Sequence, residues 1–193
     1  VGGADRILPQ ALGVAPLSPV GIAQWTRGCT SASTGAMTNN RLYVLPMILP
    51  SPMTINRLSV EITGAGNAGA VCRMGLYNLD PDTLLPTTRI LDAGTLAADA
   101  IASPQIAINQ AIPALVGFAC AIQNAATVVP TMRTVGQPGG HQVNPPAVNN
   151  QAGIRSDNQR AWTLDGVNGA LPANFSGTAA QQRVPSISAQ RSA

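Results

Sequence analysis

The stretch that decides the fold runs from Met53 to Leu96 and reads MTINRLSVEITGAGNAGAVCRMGLYNLDPDTLLPTTRILDAGTL. Two segments of it alternate apolar residues with polar or small ones, and a third segment follows a loop rich in Asp, Pro and Thr. The apolar positions of the first two segments are Leu58, Val60, Ile62, Cys72, Met74 and Leu76. A period of two is typical of strands with one buried face, so the stretch predicts β-strands.

The glycine-rich sequence GAGNAGA at residues 64–70 predicts a turn that joins the first two strands as a hairpin. A phosphate-binding loop of a dinucleotide site is followed by a helix, whereas a strand follows here. The hairpin is therefore the favoured interpretation, and this stretch predicts scaffold and no chemistry.

The rest of the chain adds short strand patterns separated by turn signals, about eight in all, which predicts an all-β fold with a two-sheet β-sandwich. Residues 41–48, RLYVLPMI, are apolar on both faces, which predicts a strand buried on two sides or lying at an interface. Pro46 and Pro50 predict that this strand lies at a sheet edge. Residues 93–102, AGTLAADAIA, are ambiguous between a strand end and one helical turn.

Residues 1–35 differ from the remainder, because Pro9, Pro16 and Pro19 interrupt isolated apolar residues without a regular period. We therefore predict an extended N-terminal attachment arm at residues 1–35 and a sandwich domain at residues 36–193. The arm either packs on its own sandwich or a neighbour, or anchors the domain in a larger particle.

Charged residues make up 10% of the chain, against about 25% in ordinary globular proteins. Such a surface suits a chain that is partly covered by neighbours in an assembly, because few charges need desolvation there. All 11 basic residues are arginines and they are scattered, so nucleic-acid binding is not expected. The sequence contains no apolar run of 18 residues, so membrane insertion is not expected either.

The three cysteines, Cys29, Cys72 and Cys120, are widely spaced and form no CxxC pair. Cys72 and Cys120 fall in apolar strand patterns, where a free cysteine acts as a small hydrophobic residue. The odd count argues against a disulfide framework, although one disulfide stays open. The spacing excludes a zinc site, and we expect no metal and no cofactor.

Enzymatic activity is not expected, because the residues of a catalytic constellation are missing. His141 is the single histidine and lies in a Gly/Pro/Asn loop, without a nucleophile elbow elsewhere. Asp80 and Asp82 flank Pro81 like a fragment of a calcium loop, but the other acidic ligands are missing. An Asp/Pro turn needs no ligand, because Asp side chains cap their own backbone there.

Recognition of a ligand is expected in two loops, residues 78–86 and 136–160. Aromatic residues are mostly buried, so a core position is favoured for each of them, and Trp162 is the one most expected to be partly exposed. The candidate ligand-contacting residues are Trp162, Asp80, Asp82, Asn158 and His141.

The succession of motifs resembles a β-sandwich module of tailed-bacteriophage virion proteins. The resemblance covers residues 41–78, RLYVLPMILPSPMTINRLSVEITGAGNAGAVCRMGLYN, then ILDAGTL, and more loosely IPALVGFACAI and GALP at residues 169–172. The chain departs from the pattern at Met74, where the family prefers Leu. It also carries Phe118, Ala119 and Cys120 where the family has a Tyr-Trp pair.

This resemblance implies a non-enzymatic, jelly-roll-like module of a tail fibre, tail tip or head spike, located in the virion. It implies homo-oligomers, with a trimer favoured, and other virion proteins as partners. Host-surface polysaccharide is the candidate ligand, so host attachment is the expected role. The alternative is a purely architectural capsid-decoration or tail-assembly subunit with no receptor role.

Overall fold

A computed structural model describes residues 22–23, 32–49, 51–135, 161–180 and 184–191. Every regular element in these residues is a strand, which confirms the all-β prediction. The helical turn considered for residues 93–102 does not form, because β7 continues to Ala97 and a bend follows. The strands are β1 (Ile22–Ala23), β2 (Ala32–Ala36), β3 (Arg41–Ile48), β4 (Met53–Val60), β5 (Ile62–Gly64), β6 (Val71–Leu79), β7 (Pro86–Ala97), β8 (Gln105–Ile112), β9 (Leu115–Gln123), β10 (Thr131–Val135), β11 (Ala161–Asp165), β12 (Thr178–Ala180), β13 (Val184–Pro185) and β14 (Ile187–Arg191).

The strands form three antiparallel sheets. The largest has six strands in the order β12-β11-β3-β9-β6-β7. Two four-stranded sheets pack on one face of it. One has the order β1-β14-β4-β8, and the other has the order β13-β10-β2 with β5 also paired to β10. The predicted β-sandwich is confirmed, with its second layer divided into two sheets.

The main core lies between these layers and is built from the alternating positions of the strands. All six apolar positions of the decisive stretch are buried in it, as are Phe118, Cys120 and Ile122 of β9. The predicted alternation is therefore confirmed. Each large apolar side chain buried in this way contributes about 1.5–3 kcal/mol to stability.

β3 is apolar on both faces because both faces are covered, as predicted. Tyr43 and Leu45 lie in the main core, whereas Leu42 and Val44 lie in a second apolar cluster on the opposite face. The prediction of an edge position is wrong, because β3 lies between β11 and β9. Within the described residues, β11 pairs with β3 as far as Val44. Pro46, which cannot donate a backbone hydrogen bond, lies beyond this pairing and opposite Gly117 of β9.

Residues 64–70 form the predicted turn, but the predicted hairpin is wrong. β5 pairs with β10, whereas β6 pairs with β7 and β9, so the turn carries the chain from one layer to the other. The side chain of Asn67 fixes it by donating to Asn124 O (2.9 Å) and accepting from Val128 N (3.2 Å). Gly69 has a φ of 80°, which favours glycine.

The opposite face of the six-stranded sheet is covered by residues 166–177, which we call the closing segment. Its Val167 and Leu171 are buried against the sheet, and Phe175 packs beside them. We call the apolar residues gathered here the outer cluster; its buried members are Leu42, Val44, Tyr77, Ala119, Ala121, Trp162, Val167 and Leu171.

Two pieces of the predicted N-terminal arm are described. Ile22–Ala23 pairs with β14, and Ala32–Ala36 pairs with β10. The predicted domain boundary between residues 35 and 36 falls inside β2. The other residues of the arm lie outside the described residues.

Candidate functional site

The loop between β6 and β7 is organised by Asp80, and we call residues 80–85 the Asp80 loop. The Oδ1 atom of Asp80 accepts hydrogen bonds from Asp82 N (3.1 Å), Thr83 N (2.8 Å) and Thr83 Oγ1 (2.8 Å). These bonds, first those from Thr83, lower the pKa of Asp80. The Asp80 carboxylate is therefore used within its own loop, as an Asp in a turn commonly is.

Trp162 supports the Asp80 loop from beneath. Its indole Nε1 donates to Leu84 O at 2.9 Å, and its side chain lies in the outer cluster. The residue is only 6% exposed, which confirms the favoured core position. The expectation that Trp162 is partly exposed is wrong, and a ring buried in this way has no free face for stacking on a sugar.

Three of the five candidate ligand-contacting residues thus lie together at one end of the sandwich. Asp82 is exposed at the tip of the Asp80 loop, Asp80 holds the loop in shape, and Trp162 anchors it to β11. His141 and Asn158 lie outside the described residues. Of the three described candidates, Asp82 is the exposed residue, whereas Asp80 is half-buried and Trp162 is buried.

A polar cluster that the sequence did not single out holds the closing segment on the six-stranded sheet. Asp92 Oδ1 accepts from Arg73 Nε at 2.8 Å, and Asp92 Oδ2 accepts from Leu171 N at 3.0 Å. Arg89 Nη1 donates to Leu171 O and lies 3.6 Å from Asp92 Oδ2. Tyr77 OH donates to Pro172 O at 2.7 Å. The backbone of the GALP motif is therefore held by side chains of β6 and β7.

The environment of this cluster changes two pKa values. Partial burial tends to raise the pKa of Asp92, but the hydrogen bonds from Arg73 and Leu171 outweigh it and leave this pKa below its usual value. Burial raises the pKa of Tyr77 to about 12, against a smaller opposing effect of Arg89. Both groups thus keep, at neutral pH, the protonation state that their hydrogen bonds require.

Gly75 provides the space that the closing segment needs. A Cβ atom at this position would lie 2.3 Å from Leu171 Cδ1 and 2.5 Å from Leu91 O. The absence of a side chain therefore lets Leu171 reach the sheet. The alternation along β6 was the signal that could have revealed this contact. It places Val71, Arg73 and Gly75 on the face opposite the predicted core, and that face was not expected to be covered.

Most other carboxylates of the described residues are engaged in contacts that need no ligand. Glu61 pairs with Arg133, with Oε1 to Nη2 at 2.7 Å, and this hydrogen bond lowers the pKa of Glu61. Asp165 Oδ2 accepts from Arg41 Nη2 at 3.0 Å. No group of three or more His, Cys, Asp or Glu residues in the described ranges is arranged to hold a metal ion.

Comparison of the chain with protein-family models, with curated proteins and with solved structures found no match. The resemblance to bacteriophage virion modules therefore stays a prediction from the sequence. Within the part of the chain that the structure describes, no helix has the length and apolar character needed to cross a membrane.

Proposed function

We propose that this chain is a virion structural protein of a bacteriophage or phage-like particle, acting as a tail-fibre or spike module in host-surface attachment. One observation carries most of the proposal. The residues that produce the resemblance, including Arg73, Tyr77, Asp92 and the GALP motif, are far apart in the sequence and meet in one hydrogen-bonded cluster. Convergence of this kind supports a shared structural motif over a chance likeness of strands.

The low charge of the surface supports an assembled state. No charged residue occurs between Asp99 and Arg133, and the part of this stretch that reaches the surface includes β8, a partly exposed edge strand. Interfaces are depleted of charged residues at their centre, because desolvating a charge is costly. We propose homo-oligomers with other virion proteins as neighbours, a trimer being favoured by the resemblance.

The proposed attachment surface is the end of the sandwich that carries the Asp80 loop. The second proposed recognition loop, residues 136–160, is followed in the sequence by Ala161 and Trp162. Trp162 donates a hydrogen bond to Leu84 O of the Asp80 loop. An exposed carboxylate such as Asp82 accepts hydrogen bonds from sugar hydroxyls, so host-surface polysaccharide is the proposed ligand.

Binding of the purified protein to polysaccharide from the host envelope tests this role. We expect Asp82→Ala to weaken binding by about tenfold, the effect of losing one charge-assisted hydrogen bond. His141→Ala and Asn158→Ala test the second loop. Asp99→Ala is the matched control, because Asp99 is exposed near the turn at residues 64–70, where Asp99 Oδ2 accepts from Gly69 N at 3.3 Å. Binding that no loop variant weakens would contradict the proposed surface.

The alternative function is purely architectural, as a capsid-decoration or tail-assembly subunit. Two large apolar side chains favour it, since Ile101 is 72% exposed and Val128 is 50% exposed. Their loops are both tied by backbone hydrogen bonds to the turn at residues 64–70, from Gly66 N to Ala98 O and from Asn67 N to Val128 O. Failure to bind any host envelope fraction, together with virion proteins covering the Asp80 loop, would favour this alternative.

The proposal includes no catalytic activity. It is supported by the engagement of Glu61, Asp80, Asp92 and Asp165 in hydrogen bonds within the chain. A paired acid and base for glycoside hydrolysis needs two carboxyl groups facing one substrate. Release of reducing sugar from the bound polysaccharide would contradict this part of the proposal.

A further inference from the structure

Two cysteines of the main core lie close enough to form a covalent bond. On the β6–β9 ladder Cys72 faces Ile122 and Met74 faces Cys120, so the two cysteines are diagonal neighbours. Both are completely buried, and their Sγ atoms are 2.8 Å apart. A disulfide bond is about 2.05 Å long, and it joins Cα atoms that are usually about 4.4–6.8 Å apart. Diagonal neighbours on a ladder are about 7–8 Å apart, so closing the bond requires the sulfurs to approach and the two strands to adjust slightly.

We propose that Cys72 and Cys120 form a disulfide that links β6 to β9 when the chain folds under oxidising conditions. The two sulfurs face each other within the main core, and the third cysteine, Cys29, lies outside the described residues. β6 and β9 are interior strands of the six-stranded sheet, so the bond would join its centre. This inference does not rest on the proposed function.

The oxidant is a small-molecule disulfide such as oxidised glutathione. The thiolate of one cysteine attacks it, forms a mixed disulfide and releases one small thiol. The thiolate of the other cysteine then attacks the protein sulfur of that mixed disulfide and expels the second small thiol. The two cysteines lose two protons and two electrons, and the small disulfide takes them up.

The timing of the reaction follows from burial. The hydrogen bond with Cys72 and burial raise the pKa of Cys120, so little thiolate is present in the folded protein. The oxidant also has no access to interior strands of a packed sheet. The bond therefore forms while the chain is folding, and the reduced folded protein resists the same oxidant.

The test is refolding of the full chain from denaturant in a glutathione redox buffer, followed by digestion with trypsin without reduction. We expect a cross-linked pair of peptides, residues 58–73 and 90–133, with a mass roughly 2 Da below the sum of the two. Denatured oxidised protein should show one reactive thiol out of its three cysteines. In the native reduced protein, given oxidised glutathione for the same time, the thiols of Cys72 and Cys120 should stay reduced.

Variants separate this pairing from others. Cys29→Ala should leave the cross-link intact, whereas Cys72→Ala and Cys120→Ala should each abolish it and restore reactivity of the remaining thiols. The oxidised protein should unfold about 5–10 °C above its reduced form, and this difference should disappear in Cys72→Ala. Three reactive thiols after oxidative refolding, or a cross-link that includes Cys29, would overturn the proposal.

Discussion

The two apolar layers of this protein are built in different ways. The main core lies between sheets and is formed by residues that alternate along regular strands. The outer cluster lies beneath an irregular segment, which is held down by Tyr77, Arg89 and Asp92 through its backbone. The main core depends on the burial of apolar side chains. The outer cluster depends both on such burial and on polar side chains that form hydrogen bonds with the backbone of the closing segment.

This difference has a consequence for function. The outer cluster contains Trp162, which anchors the Asp80 loop, so the proposed attachment surface is supported by the second layer. Damage to the main core should unfold the whole domain, because its contacts join all three sheets. Damage to the outer cluster should loosen the closing segment and the Asp80 loop first.

The largest expected effect compares one leucine from each layer. Leu76 in the main core is 0% exposed and Leu171 in the outer cluster is 1% exposed. We expect Leu76→Ala to lower the free energy of unfolding by about 4 kcal/mol and Leu171→Ala by about 2.5 kcal/mol. The irregular closing segment relaxes around a cavity more readily than paired strands do, within the limits set by its hydrogen bonds to Arg89 and Asp92. Urea denaturation measures both, and equal losses would contradict the distinction.

The next effect concerns the space beside Gly75. Gly75→Val would place atoms where Leu171 and Leu91 O now lie, and we expect a loss of about 3 kcal/mol. Gly169→Val in the closing segment is the control, because a Cβ there meets nothing within 4 Å and the cost should be small. Adding Leu171→Ala should restore part of the stability. No recovery in the double variant would show that Leu171 is not the obstacle.

A smaller effect with a defined pH dependence is expected for Asp92, whose side chain is 14% exposed. Its pKa is lower in the folded state, so its contribution is present above the unfolded pKa of about 3.9 and is lost as pH falls through the folded pKa. Asp92→Asn should cost about 2 kcal/mol at pH 7. The difference between the variant and the parent protein should shrink below about pH 4. A constant difference across this range would contradict the assignment.

The hydroxyl of Tyr77 should contribute about 1 kcal/mol through its bond to Pro172 O. Tyr77→Phe should also weaken hydrogen-exchange protection of Phe175 N, which donates to Thr87 O and is part of the same segment. Tyr43→Phe is the control, because it removes the acceptor for Thr38 N without touching the closing segment. Equal exchange at Phe175 in both variants would contradict a local role for Tyr77.

The smallest effect is expected at the ion pair between Arg41 and Asp165. The Asp165 side chain is 69% exposed, and exposed pairs contribute little in water. We expect Asp165→Ala to change stability by less than about 0.5 kcal/mol. A loss comparable to that of Asp92→Asn would remove the distinction between buried and surface carboxylates.

The main core was predictable because its information is local. Each strand shows its own alternation, so Leu58, Met74 and Leu76 were assigned to the correct face. Strand pairing was not predictable in the same way, because the partners of β5 and β6 lie elsewhere in the chain. The apparent hairpin at residues 64–70 is therefore a passage between layers.

The candidate site was predictable in part. Asp80 and Asp82 were correctly placed in a loop, as their Asp/Pro context indicated. The polar residues beside Trp162 indicated partial exposure of its side chain, which is buried in the structure. Its hydrogen-bond acceptor, Leu84 O, is remote in sequence, so the local sequence gave no sign of this contact. The cluster around Asp92 was missed for the same reason, since its partner Leu171 belongs to another segment.

Electron microscopy of the intact particle tests the central proposal most directly. The account predicts density for this chain in a tail fibre or spike, with the Asp80 loop facing away from the particle. It also predicts neighbouring subunits against the uncharged edge strand β8. Absence of the chain from the particle would contradict the proposed virion role, and an Asp80 loop buried against other virion proteins would contradict attachment.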